Sequence, residues 1–188
     1  AVNATVRAAG GIEGTGPVLI VDHTTDNNLM TFRTTHAAVR MQAAEAEFTA
    51  AGRTFRAGAF IVPAADRAKL EPTLKALGLS GYAVATAPVV KMHELDLPRI
   101  GYVHAWQRTQ DEGWVRAALD TYGVPYSYFA DIKLKEGNLR AKYDVIIYPS
   151  VGGSAQSHIA GIIKTGDAPL PYKKTPATPN LGANDQAD

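Results

Sequence analysis

The stretch PRIGYVHAWQRTQDEGWVRAALDTYGVPYSYFADIKLKEGNLRAKYDVIIYP, residues 98–149, decides the predicted fold. Its apolar residues follow the spacing of strands and of helices in turn. The pattern predicts strands at 99–104, 126–129 and 143–148, and helices at 111–122 and 131–137. Strands that alternate with helices in this way form βαβ units, whose strands lie parallel in one sheet.

The residues before this stretch show the same alternation with weaker signals. Short apolar runs predict strands at 17–22, 54–55, 58–63 and 82–85, and an edge or connection at 89–97. A segment rich in Ala, Glu, Gln and Met predicts a helix from Thr35 to about Ala50. A second helix is expected between Asp66, its N-cap, and Gly78, which stops it.

Taken together, these elements predict an α/β fold with three layers, α/β/α, and a mainly parallel sheet of the flavodoxin-like kind. One domain is predicted over residues 17–164. Residues 1–16 are predicted to be a linker or leader, and residues 165–188 an extended or disordered tail. A domain of this type continues with further helices and strands after DVIIYP, so we expect it to be truncated.

Composition excludes several classes of protein. The 19 Lys and Arg residues nearly balance the 18 Asp and Glu residues, and a net charge of +1 is not typical of a nucleic-acid-binding surface. No apolar run approaches 18 residues, so no membrane span is predicted. The opening residues AVNATVRAAGG lack the pattern of a signal peptide. The chain has no cysteine, which excludes disulfides, thiolate zinc sites and a cysteine nucleophile.

Metal and phosphate sites are not predicted either. None of the five histidines has the spacing that places two zinc ligands on one helix turn. The glycines of residues 10–16 precede the first strand, whereas a dinucleotide-binding loop follows one. One catalytic alternative stays open. Ser150 or Ser154 with His158 would make a serine hydrolase, because their loop follows a strand end where backbone N–H groups can stabilise an oxyanion.

Polar residues at predicted strand ends are candidates for ligand binding, since ligands of open α/β sheets bind beyond the carboxyl ends of the strands. If the strands share one sheet, loops 22–28 and 104–112 lie at the same edge and form one pocket. Each loop is equally compatible with a solvated turn. The candidate residues are Asp22, His23, Asn27, Asn28, His104, Trp106, Gln107, Arg108, Asp111, Glu112, Gly152 and Gly153.

The DEGW segment also has a purely structural interpretation. Asp111 and Glu112 are expected in the first turn of a helix, where carboxylates cap the helix and suit its dipole. Trp114 is expected to be largely buried in the core.

Several sequence blocks resemble a known family. The chain resembles the C-terminal glutamine-amidotransferase-like domain of large bacterial M14-family zinc carboxypeptidases over about residues 17–150. The most specific blocks are DEGWVR and GNLRAKYDVI. The full set is VDH (21–23), NN (27–28), GAFIVP (58–63), RIGY (99–102), Trp106, DEGWVR (111–116), GVPY (123–126) and GNLRAKYDVI (137–146).

The resemblance implies a class I glutamine-amidotransferase-like fold within a secreted or periplasmic hydrolase. Zinc would be held only by the peptidase domain of the same polypeptide, which would also be the partner of this domain. Amidotransferase activity needs a cysteine nucleophile, which this chain lacks, so we expect no catalytic residue and no cofactor in it. The expected function is a non-catalytic accessory domain that packs against or assists the peptidase domain, near its peptide or cell-surface substrate.

Two alternatives to this function remain. The first is a small-ligand-binding α/β domain that uses loops 22–28 and 104–112. The second is the serine hydrolase with Ser150 or Ser154 and His158.

Overall fold

The computed structural model describes residues 6, 8–106, 109–150, 152, 154–155 and 173–182. The chain divides into two compact units, Ala1–Leu97 and Pro98–Asp188. Each unit has its own sheet. Among the described residues, no helix has both the length and the apolar character that crossing a membrane requires.

The first unit is built on a six-stranded sheet of order β1-β7-β2-β6-β3-β8, with β4 and β5 forming a separate hairpin. Its strands are β1 (Gly11–Gly14), β2 (Val18–Val21), β3 (Gln42–Ala44), β4 (Phe48–Ala50), β5 (Arg53–Phe55), β6 (Phe60–Val62), β7 (Ser80–Val84) and β8 (Met92–Glu94). Its helices are α1 (Asn28–Thr35) and α2 (Arg67–Leu77). The pair β1–β7 is parallel, and every other neighbouring pair in the sheet is antiparallel.

Strand β2 is central to this unit because all four of its residues are buried. Successive side chains of a strand point to opposite faces. Leu19 and Val21 pack with residues of α1 and α2, whereas Val18 and Ile20 pack with the β4–β5 hairpin. The sheet of the first unit is therefore covered by helices on one face and by a hairpin on the other.

The second unit contains a small parallel sheet of order β10-β9-β11. Its strands are β9 (Ile100–Val103), β10 (Ser127–Phe129) and β11 (Val145–Ile147). Its helices are α3 (Thr109–Thr121), α4 (Asp131–Lys135) and α5 (Leu139–Lys142). The first strand in sequence lies in the middle, so the chain moves to one side of β9 and then returns to the other side.

The predicted three-layer fold with a mainly parallel sheet is wrong. The large sheet is mostly antiparallel, and among the described residues parallel pairing occurs only in the pair β1–β7 and in the small three-stranded sheet. Runs such as VLIV indicate burial on both faces, which a parallel sheet between helices provides. Here an antiparallel sheet between helices and a hairpin buries both faces equally well.

Two segments of the first unit differ from their predicted structure. The helix predicted from Thr35 to about Ala50 is absent, because this segment contains β3 and β4 and the helix α1 ends at Thr35. Ala43 and Ala44 are buried in the sheet, where packing outweighs the helix propensity of alanine. Residues 1–16, predicted to be a linker, contain β1, which pairs with β7.

The strongest local signals are confirmed. The Asp66 side chain accepts a hydrogen bond from the Lys69 N–H at 3.3 Å, and Gly78 adopts φ +71° at the C-terminus of α2. The strands and helices predicted within residues 98–149 all occur, with bounds that differ by one or two residues.

Candidate functional site

The carboxyl ends of the three parallel strands carry the candidate site of the second unit. Along β9, Gly101 lies on the face that holds the stacked rings of Phe129 and Tyr143. Tyr102 lies on the other face, against Tyr128 at 6.4 Å between ring centroids. His104 lies two residues after Tyr102 along the chain, so its ring points to the same face as Tyr102.

The carboxylate of Glu112 collects hydrogen bonds from three directions. Glu112 is only 2% exposed, although a glutamate is almost never fully buried without partners. Glu112 Oε1 lies 3.0 Å from His104 Nδ1 and also accepts the hydroxyl of Tyr128, while Oε2 accepts the Ala105 N–H at 3.0 Å. These donors offset the desolvation of the buried carboxylate.

The partners of His104 fix its tautomer. The carboxylate of Glu112 accepts hydrogen bonds, and the Tyr128 oxygen, 2.6 Å from Nδ1, already donates its own hydrogen to Glu112. Nδ1 is therefore the nitrogen that carries the hydrogen. Nε2 is left with a lone pair, and the side chain of His104 is 14% exposed. His104 thus offers a fixed hydrogen-bond acceptor or proton acceptor at the carboxyl end of β9.

Arg116 completes what we call the His104 cluster, which consists of His104, Glu112, Arg116 and Tyr128. The guanidinium carbon lies 3.7 Å from the centroid of the Tyr128 ring, and Nη1 lies 3.7 Å from Glu112 Oε1. Burial and the hydrogen bond to Glu112 raise the pKa of the Tyr128 hydroxyl well above its usual value. Tyr128 therefore stays protonated and serves as a donor at physiological pH.

Trp106 borders the His104 cluster. Its ring packs edge-on against the His104 ring, with 4.3 Å between the centroids, and its Nε1–H donates to Asp131 Oδ1 at 2.8 Å. Partial burial and the negative charge of Asp131 raise the pKa of Tyr148, which follows β11. Side chains that follow β9 and β10 therefore meet at one edge of the sheet, and Tyr148 follows β11 at the same edge, as expected for the ligand-binding edge of a parallel sheet.

Sequence reasoning placed only part of this site. His104, Trp106 and Glu112 come together, whereas Asp111 is exposed in the first turn of α3. Gly152 is exposed with φ +68°. Gln107, Arg108 and Gly153 lie outside the described residues.

Tyr128, Arg116 and Asp131 were not predicted. Only their positions in the sequence could have indicated them. Tyr128 lies in β10, the strand that pairs with β9, Asp131 lies two residues after β10, and Arg116 follows Glu112 by one helix turn.

The prediction for Trp114 is wrong, since this side chain is 69% exposed. Asp111 and Glu112 do lie in the first turn of α3, as predicted. However, the Glu112 carboxylate binds groups of the sheet and of the turn before the helix. Positions two apart on a helix are about 200° apart, so a helix that turns Glu112 inward turns Trp114 outward.

The loop at residues 22–28 does not share a sheet with His104, because β2 belongs to the first unit. The premise of one common sheet edge is therefore wrong. His23 Nδ1 lies 2.9 Å from the Ala57 carbonyl oxygen, and Asn28 Nδ2 donates to the Leu77 carbonyl at 3.1 Å. Asp22 donates its N–H to the Ser80 carbonyl, and Asn27 is exposed just before α1. Asn28 and Asp26 line a cavity of about 360 Å³ at the C-terminus of α2.

Among the described residues, no arrangement of catalytic groups supports the serine hydrolase alternative. Ser150 and Ser154 are exposed, and His158 lies outside the described residues. In the part of the chain that the structure describes, no group of three or more His, Cys, Asp or Glu side chains is arranged to hold a metal ion.

Comparison with known proteins gives no family for this chain. No protein-family model matches it, and neither curated proteins nor solved structures show a significant match. The resemblance to the carboxypeptidase domain stays a prediction from sequence blocks.

Proposed function

We propose that the second unit binds a small organic ligand at the carboxyl edge of its parallel sheet, with His104 Nε2 as the central polar contact. One observation carries the proposal: a nearly fully buried carboxylate, Glu112, holds the His104 ring in a single tautomer. Burying a carboxylate costs more than burying an apolar side chain of similar volume, so stability alone does not account for this residue.

The topology of the sheet supports the same edge. The order β10-β9-β11 means that the chain leaves β9 in one direction and later returns on its other side. In open α/β sheets, ligands bind in the crevice outside the carboxyl ends of the strands where this reversal occurs. His104 follows β9 directly, and Tyr148 follows β11.

The chemistry of these side chains limits the class of ligand. His104 Nε2 accepts a hydrogen bond or a proton, so the ligand presents a hydroxyl or N–H donor. The aromatic rings of Trp106 and Tyr148 favour a ligand with a flat or apolar face beside that donor. Sugars, amino acids and nucleosides all combine these two features.

Tryptophan fluorescence tests this proposal, because the chain has only two tryptophans. The variant Trp114→Phe leaves Trp106 as the reporter beside His104. We expect a saturable fluorescence change with at least one class among methyl glycosides, free amino acids and nucleosides. His104→Ala should abolish it, and His93→Ala in the first unit should not. No change with any class at millimolar concentration, or equal binding by His104→Ala, would contradict the proposal.

A second function is favoured by the sequence blocks DEGWVR and GNLRAKYDVI. In this proposal the chain is a non-catalytic accessory domain of a secreted or periplasmic zinc carboxypeptidase and acts beside the peptidase domain of the same polypeptide. The buried Glu112 of the first block and the Arg99–Asp144 ion pair, 2.7 Å long, at the second give both blocks a structural role.

The size of the native protein tests the second function. An antibody raised to the 20.0 kDa chain should detect a band several times larger in the secreted or periplasmic fraction of the source cells. A cytosolic band of the size of this chain would contradict the accessory role while leaving ligand binding at His104 untouched.

A further inference from the structure

A cavity of about 270 Å³ lies along the outer edge of β10, and neither the His104 cluster nor the sequence analysis accounts for it. In the part of the chain that the structure describes, strand β10 pairs with a strand on one side only, namely with β9. The residues of the cavity wall that matter here are Tyr128, Lys133, Glu136, Lys142, Tyr143 and Asn180.

The charged side chains of this cavity form a carboxylate-binding arrangement. Lys133 Nζ lies 2.6 Å from Glu136 Oε1, and Lys142 Nζ lies 3.2 Å from Glu136 Oε2. The two ammonium groups are thus spaced so that each binds one oxygen of a single carboxylate. An ammonium has three hydrogens, so each lysine keeps further donors for a second anion. The three side chains together carry one positive charge, which favours a ligand with one negative charge.

The backbone beside these lysines is open to a hydrogen-bonding partner. The Phe129 carbonyl accepts the His104 N–H, so Phe129 faces β9 and Tyr128, the residue before it, faces outward. The next outward N–H, that of Ala130, donates to the Asn180 carbonyl at 3.0 Å. Residues around Asn180 therefore extend the edge past β10, and the cavity lies where the outward N–H and C=O of Tyr128 find no partner among the described residues.

From these features we infer that the cavity binds a carboxylate attached to an amide, as in an N-acyl amino acid or the C-terminal residue of a peptide. The carboxylate would lie beside Lys133 and Lys142, and the amide would pair with the Tyr128 backbone as an added strand does. The ring of Tyr143 would contact the side chain of the ligand. This inference does not rest on the proposed function, which concerns His104. The two sites share Tyr128, whose backbone is used here and whose hydroxyl belongs to the His104 cluster.

Backbone amide NMR spectra of the full chain test the inference with two matched probes, N-acetyl-L-alanine and N-acetyl-L-alaninamide. We expect the acid to shift the amide signals of Tyr128, Phe129 and Asn180 saturably. The neutral amide should bind with an affinity at least about tenfold lower, because it lacks the charge that the lysines bind. Equal shifts with both probes, or none with either, would overturn the inference without any variant. A peptide end is indicated if acetyl-tetra-alanine binds more tightly than N-acetyl-L-alanine, and a free N-acyl amino acid if it does not.

Charge variants add a second measurement. Lys133→Met combined with Lys142→Met should abolish the shifts, and Lys69→Met in the first unit should preserve them. Glu136→Gln removes the carboxylate that competes for both lysines, so it should tighten binding of the acid by about fivefold. Unchanged affinity in the double lysine variant, with its spectrum still dispersed, would overturn the inference.

Discussion

Glu112 is 2% exposed, and its surroundings decide what the neighbouring residues do. Its carboxylate fixes the proton of His104 on Nδ1 and holds the Tyr128 hydroxyl as a donor. The helix dipole explains why an acid is tolerated in the first turn of α3. The dipole does not explain why the Glu112 side chain turns inward. The hydrogen bonds of its carboxylate to groups of the sheet explain this orientation.

Removing this carboxylate should destabilise the protein. Glu112→Ala leaves the Ala105 N–H and the His104 Nδ1–H without their acceptor, at a cost of about 2–4 kcal/mol. Asp111→Ala, one position earlier and exposed, should cost less than about 1 kcal/mol. Urea unfolding monitored by circular dichroism measures both. Equal costs for the two variants would mean that Glu112 acts only through the helix dipole.

His36 gives the stability of the first unit a pH dependence. Its ring is buried, with Nε2 2.9 Å from the Thr73 hydroxyl and Nδ1 without a hydrogen-bond partner. Burial lowers the pKa of His36, and the positive charge of Lys69 lowers it further. The unfolded chain therefore takes up this proton at a higher pH than the folded chain does. The stability tied to neutral His36 is complete above about pH 6.5 and is lost as the pH falls through the lower folded pKa.

Urea midpoints between pH 8 and pH 5 test this assignment. His36→Asn should flatten the decrease in stability below pH 6.5, and Lys69→Met should flatten it in part, because Lys69 contributes to the lowered pKa of His36. If both variants keep the slope of the original protein, the pH dependence arises elsewhere.

At the scale of elements, Gly101 shows how closely β9 packs. A Cβ at Gly101 would lie 2.9 Å from Phe129 Cε1 and 3.1 Å from Tyr143 Cδ1, inside a stacked aromatic pair. Gly101→Ala should therefore cost about 1–3 kcal/mol by overpacking. Gly113 lies in α3 with nothing within 4 Å of such a Cβ, so Gly113→Ala should stabilise by about 0.5–1 kcal/mol. A Gly101→Ala variant that is as stable as the original protein would contradict the packing of β9.

Elements with local signals could be predicted from the sequence, and elements decided by distant contacts could not. Asp66 and Gly78 cap α2 through their own neighbours, so their meaning is local. Ala43 and Ala44 have helix propensity but lie buried in the sheet, which only the strands beside them determine. For the same reason, the sequence predicted that α3 exists but not that it turns Glu112 inward and Trp114 outward.

At the scale of the whole molecule, the direction and order of the strands decided the fold. The sequence contains apolar runs for the buried strands, but a run such as β2 does not record which neighbours pair with it. Within residues 98–149 the helix between β9 and β10 makes parallel pairing the expected outcome. In the first unit, β6 and β7 flank β2 with antiparallel pairing instead. The prediction that strands of both units share one sheet was therefore wrong.

The division into two units leads to a prediction about independent folding. The first unit has its own sheet and two buried clusters, one on each face of β2. We expect the fragment Ala1–Leu97 to fold alone and to unfold cooperatively on heating. Its backbone NMR signals should overlay those of the full chain for the residues of β2. A spectrum without dispersion would show that the first unit depends on the second.

The position of one proton on the His104 ring is the basis of the proposed site. Long-range ¹H–¹⁵N correlation spectra of the histidine side chains, with His104→Gln for assignment, locate that proton at a pH where the imidazole is neutral. We expect it on Nδ1, hydrogen-bonded to Glu112, with Nε2 unprotonated and available to a ligand. A proton on Nε2 would mean that Glu112 does not hold the ring as described, and it would remove the acceptor on which the proposed binding function depends.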